Sequence, residues 1–187
     1  PFAEDDDVSM PVSPYAATKR AGELLCYTYT HLYQLRIACL RFFTVYGPYQ
    51  RPDLAIHKFA RLMAAEKPIP VFGDGSSQRD YTYVDDIVEG IVLAWRWLQR
   101  GDTSPGAYEI FNLGGSHPVK LLELIRLLEK SLGCTAQLDW QDDQPGDVPL
   151  TYADVRKSEA LLGYRPQVDI ATGIQRFAMW FQTHHQG

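Results

Sequence analysis

The 187-residue chain predicts an α/β protein built on a parallel sheet, and three observations carry that reading. Helical stretches alternate with short strand-like runs from one end to the other. Arg36-Ile-Ala-Cys-Leu-Arg-Phe-Phe43 is apolar almost throughout, as a strand buried on both faces requires. Gly and Pro punctuate the connections, as at Gly47-Pro48 and Pro68. No internal repeat and no low-complexity tract interrupts the pattern.

Taken in order, Pro1-Phe-Ala-Glu-Asp-Asp-Asp7 is an acidic, solvated stretch without an initiator Met, expected to be a loop entered in mid-protein. Ser13 is placed to cap a helix and Pro14 to fill its first position. That helix is amphipathic and runs through Ala16, Leu24, Leu25, Tyr29 and Leu32 to about Tyr33. The strand Arg36–Phe43 follows, then a helix from Asp53 to about Glu66 that Pro68 closes. Ile69–Phe72 and Arg79–Val84 read as strands separated by the turn Gly73-Asp-Gly-Ser-Ser77. Asp85 is the expected cap of a second long helix, with Ile87, Ile91, Ala94, Trp95 and Leu98 on its buried stripe. After a loop at 101–106, Tyr108–Asn112 is a strand. Ser116 and Pro118 start a helix carrying Leu121, Leu124, Ile125 and Leu128, which Gly133 stops. Thr135–Trp140 is a strand, Gln141–Pro149 a polar loop, and short helices span Val155–Leu162 and Ile170–His184.

Composition excludes several classes. With 45% hydrophobic and 22% charged residues, the chain has the balance of a globular protein with a sizeable core. The net charge of −5 and the lack of a basic stripe argue against a nucleic-acid partner. No apolar run approaches the ~18 residues of a membrane span, so no membrane partner is expected. Cys26, Cys39 and Cys134 are odd in number and fit no metal-ligand spacing, so they read as buried thiols in a reducing compartment, the cytoplasm. His184-His185 reads as a helix end, and no metal site is expected.

Chemistry enters with Tyr15 and Lys19. Four residues apart on a helix, they share one face, which sets an ammonium beside a phenol. A free phenol with a pKa of about 10 is a poor base at neutral pH, and a neighbouring cation favours its phenolate. Spacing alone is equally that of a surface Lys over a half-buried Tyr.

The surrounding segments shift that balance. Ser13-Pro-Tyr-Ala-Ala-Thr-Lys19, Arg41-Phe-Phe-Thr-Val-Tyr-Gly-Pro48, Arg51-Pro-Asp53, Arg79-Asp-Tyr-Thr-Tyr-Val-Asp-Asp86 and Gln144-Pro-Gly-Asp147 fall in an order that resembles the extended short-chain dehydrogenases acting on nucleotide sugars. Within them the chain is most similar to the UDP-glucuronate 4-epimerases, over their C-terminal portion. The resemblance implies a Rossmann-type fold in which residues 1–50 and 86–114 belong to the nucleotide-binding domain, and 51–85 and 115–187 to the UDP-sugar portion. It implies NAD as cofactor, Tyr15 as acid/base at the sugar 4-hydroxyl, Lys19 favouring the phenolate and binding the nicotinamide ribose, and Phe42 near the nicotinamide. It also implies that Thr44 and Arg51 face a uronate carboxylate, Phe72 the uracil, Arg79 the diphosphate and Asp147 the nucleotide ribose. A homodimer through the Tyr15 and Asp53 helices is expected on the same ground.

Each residue has an ordinary alternative: a strand-end Thr44, a solvated Arg51, a core Phe42 or Phe72, an Arg79 paired with Asp80 or Asp85, a turn Asp147. UDP-galactose epimerases usually carry Asn at the position of Thr44 and Arg at that of Gln144, so both differences point to the uronate branch. A UDP-glucuronate decarboxylase or another nucleotide-sugar epimerase or dehydratase stays open, as does a non-catalytic module that binds UDP-sugar or dimerises. Neither Gly73-Asp-Gly75 nor Gly114-Gly115 has the GxGxxG spacing of a dinucleotide fingerprint. The chain by itself is therefore expected to be catalytically silent, as the second half of an epimerase.

Overall fold

The computed structural model describes residues 1–100, 104–142 and 148–184. Helix α1 (Pro14–Tyr33) begins as expected, with Ser13 Oγ accepting from the Ala16 N–H at 3.1 Å. Strands β1 (Ile37–Phe42) and β2 (Thr44–Tyr46) lead to α2 (Ala55–Ala64), β3 (Ile69–Phe72), β4 (Gln78–Tyr83) and α3 (Val84–Gln99). Then come β5 (Tyr108–Leu113), β6 (Pro118–Lys120), α4 (Leu121–Leu132), β7 (Leu138–Gln141), α5 (Arg156–Leu162) and α6 (Ile170–His184).

Pairing among the described strands makes three small sheets. β1 and β5 run parallel, with Ile37 opposite Tyr108 and Phe42 opposite Leu113. β4 is central in the second sheet, parallel to β2 and antiparallel to β6. β3 and β7 form the third, again parallel. Two cores result. One gathers Ile87, Ala94, Phe111, Leu113, Leu162 and Tyr164 around β5 and α3. The larger lies between α2, α4, α6 and the β3–β4 region, with Ile56, Ile69, Leu124, Leu128, Ile174 and Phe177 fully buried. Residues 155–164 pack into the first core, although chain order groups them with the later segment.

Several local expectations are corrected. Pro118–Lys120 is a strand, because it completes the ladder of β4, so the next helix opens at Leu121. Tyr83, not Asp85, is the cap residue of α3, and Asp85 and Asp86 lie in its first turn. Ile91 and Trp95 face outward; the buried face is Asp86, Ile87, Gly90 and Ala94. Gly90 brings α3 against β5, since a Cβ there would stand 2.8 Å from Leu113 Cδ1. The three cysteines are free and only partly buried, and burial pushes the Cys39 thiol up to about 11.

Two acidic residues of the Arg79–Asp86 segment, Asp80 and Asp86, hold the two cores together. The buried Asp80 carboxylate accepts the N–H groups of Gly115, Ser116 and Ala153 at 2.8–3.0 Å. Burial pushes its carboxyl above the usual range, against the three donors that pull it down. Buried Asp86 accepts the N–H groups of Gln167 and Val168 at 2.9 and 3.0 Å. Gly114 and Gly115 are therefore space-makers: a Cβ on Gly114 would meet Ala153 Cβ at 2.4 Å, and one on Gly115 would meet Asp80 Oδ1 at 2.9 Å.

Candidate active site

Helix geometry does to Tyr15 and Lys19 what their spacing requires. The Lys19 ammonium lies 5.2 Å from the centre of the Tyr15 ring, and the phenol is 71% exposed. Both residues line a cleft of about 690 Å³, whose walls also include Met10, Pro11, Arg41 and Phe42. The Phe42 ring, at the end of β1, is 50% exposed into solvent. Tyr15, Lys19 and Phe42 thus come together in one place.

What fixes α1 over β1 is an ion pair. Arg41 Nε donates to Glu23 Oε1 at 2.6 Å and Arg41 Nη2 to Glu23 Oε2 at 2.9 Å. Arg20 adds a third bond to the same carboxylate at 2.9 Å. The two guanidinium groups hold the Glu23 carboxyl below its ordinary value, and Glu23 raises Arg41 in return. Tyr108 on β5 donates from its hydroxyl to the Glu23 carbonyl at 3.1 Å, a further tie.

The remaining candidates gather elsewhere. Phe72 and Arg79 share a recess of about 230 Å³ with Asp53, Lys58 and Ser77. Arg79 donates to the carbonyl of Gln78 at 3.0 Å, while Asp80 is engaged by backbone and Asp85 stands 3.8 Å from Arg176. Arg51 pairs with Asp53 at 2.8 Å, both largely exposed, and touches the recess only through that partner. Thr44 sits between the two sites: Phe43 beside it lines the cleft, and Tyr81 opposite it lines the recess. Asp147 and Gln144 lie outside the described residues, as does His185.

A family profile described as the NAD dependent epimerase/dehydratase family matches residues 1–114. The chain belongs to that family. Among its relatives is a UDP-glucuronate 4-epimerase of Thermodesulfobacterium geofontis, 44% identical over 96% of this chain and 54% of the relative. The UDP-glucuronic acid 4-epimerase of Bacillus cereus, solved in complex with UDP-glucuronic acid and NAD, superposes with a TM-score of 0.86 at 36% identity, over 98% of this chain and 57% of that one. A dTDP-glucose 4,6-dehydratase of Streptomyces venezuelae, with NAD bound, is also similar: TM-score 0.81, 34% identity, 94% of this chain and 52% of that one. The chain spans about half the length of the curated relatives it matches.

In this epimerase/dehydratase family chain, sequence reasoning missed the anchors rather than the cleft. Glu23 carried a signal, since it lies four residues beyond Lys19 and eight beyond Tyr15, on the same helical face. Asp80 and Asp86 carried none, because their partners are backbone groups 35–82 residues away. No group of three or more metal-ligating side chains occurs among the described residues, and no described helix is long and apolar enough to cross a membrane.

Proposed function

We propose that the protein carrying this chain is an NAD-dependent epimerase that inverts C4 of UDP-glucuronate to give UDP-galacturonate. The observation that carries this reading is an exposed phenol held beside an ammonium on the wall of an open cleft. Relatives named for that reaction, at 44% and 36% identity, support it.

Tyr15, as phenolate, takes the proton of the sugar 4-hydroxyl while a hydride leaves the same carbon. Lys19 stabilises the negative charge on the phenol oxygen that makes this possible. The 4-keto sugar turns over in the cleft, and Tyr15 returns the proton once a hydride has reached the opposite face. NAD supplies the hydride acceptor and donor, so no net oxidation results. The half-exposed Phe42 ring and the Lys19 ammonium line the same cleft, an apolar face and a cation suited to a flat ring on a hydroxylated ribose. Thr44 and Arg51 are assigned to the uronate carboxylate, Phe72 to the uracil, Arg79 to the diphosphate and Asp147 to the ribose hydroxyls.

A second copy of the chain is the proposed partner of α1, whose Leu24, Leu25, Tyr29 and Leu32 face outward. The Asp53 helix is a poor half of that surface, because Ile56, Phe59, Ala60 and Met63 of α2 are buried in the chain's own core. Free cysteines support a reducing compartment, and we assign the cytoplasm.

The test is Tyr15→Phe in the whole protein, assayed on UDP-glucuronate with NAD. Turnover is expected to fall roughly 10²–10⁴-fold, the range for a lost acid/base. Unchanged turnover overturns the assignment, and release of carbon dioxide with UDP-xylose as product would make the protein a decarboxylase.

A further inference from the structure

The recess that holds Phe72 and Arg79 contains a second cation to which no role has been given. Lys58 lines it from α2, whereas Arg79 enters from β4. In the first turn of α2, Ile56 and His57 are buried and Lys58 stays exposed, so its ammonium is turned away from the core. Among the described residues Lys58 makes no ion pair and no side-chain hydrogen bond. The nearby carboxylate of Asp53 is taken by Arg51 instead, at 2.8 Å. An ammonium offers three donors without directional preference, and the Ser77 hydroxyl in the same recess adds another. One guanidinium covers one phosphoryl group bidentately, and a diphosphate leaves a second to be neutralised.

On the basis of the nucleotide-sugar reading above, we propose that Lys58 is a binding residue for the diphosphate, acting beside Arg79. It makes the site prefer nucleoside diphosphates to monophosphates.

Calorimetric titration of the chain and of K58Q, K58R and R79Q with UDP, UMP and inorganic pyrophosphate tests this. K58Q is expected to weaken UDP and pyrophosphate about tenfold, the worth of one charge-assisted hydrogen bond, and UMP by less than twofold. K58R is expected to restore most of the loss, and K58Q, an exposed change, to melt with the parent chain. UDP binding that R79Q weakens and K58Q leaves untouched overturns the role of Lys58 alone, as does an equal loss for UDP and UMP. Pyrophosphate binding that depends on Lys58, without UDP binding, upholds the cation pair and removes the uridine reading. If the parent chain binds neither ligand, both fall.

Discussion

Glu23 lies two helical turns beyond Tyr15, and its carboxylate is where α1 is fastened to β1. Its folded-state value is depressed, first by the Arg41 hydrogen bonds and then by Arg20, so the sign of the linkage is fixed. The stabilisation is fully present above the ordinary value of 4.5 and is lost as the pH falls through the lowered one. Glu23→Gln is expected to cost about 1–3 kcal/mol near neutrality. In thermal melts the gap between parent and variant is expected to be constant above about pH 5 and to close on acidification. Tyr15 and Lys19 were readable because a helix turns a four-residue interval into adjacency whatever the rest of the chain does. Arg51 was only half readable. Its exposure followed from its loop, but its ion pair with Asp53 two residues on did not.

At the level of elements, most helices and strands followed from local pattern, and the failures are tertiary. α3 is apolar on more than one face, so period alone could not choose between Ile91 with Trp95 and the face that is buried. Gly90 makes the choice, by admitting Leu113. β6 exists only because β4 offers it a partner, a fact written nowhere in Pro118-Val-Lys120. A similar fit joins α6 to β2. A Cβ at Gly173 would lie 1.9 Å from the Tyr46 hydroxyl, which is buried and has no hydrogen-bond partner among the described residues. Gly173→Ala is expected to destabilise the fold by about 1–3 kcal/mol through overpacking. Tyr46→Phe removes the obstructing oxygen together with an unsatisfied polar group, so alone it is expected to be near neutral. In the double variant it should recover most of the loss. A double-mutant cycle by chemical denaturation reads the coupling.

Across the whole molecule, the two cores are joined by carboxylates that cross in opposite directions. Asp80 belongs to a strand of the larger core and grips residues that flank β5 and α5 of the smaller. Asp86 sits on a helix of the smaller core and grips the approach to α6 of the larger. The segment Arg79–Asp86 carries a resemblance to a sugar-nucleotide motif, yet two of its acids serve as clasps, and only the folded chain shows where they close. The Asp80 clasp has a measurable signature in solvent isotope labelling. The amide protons of Gly115, Ser116 and Ala153 share one acceptor group, so in deuterated buffer they are expected to wash out with a common opening free energy, as a single cooperative unit. Widely different protection at the three sites would show that the halves breathe independently.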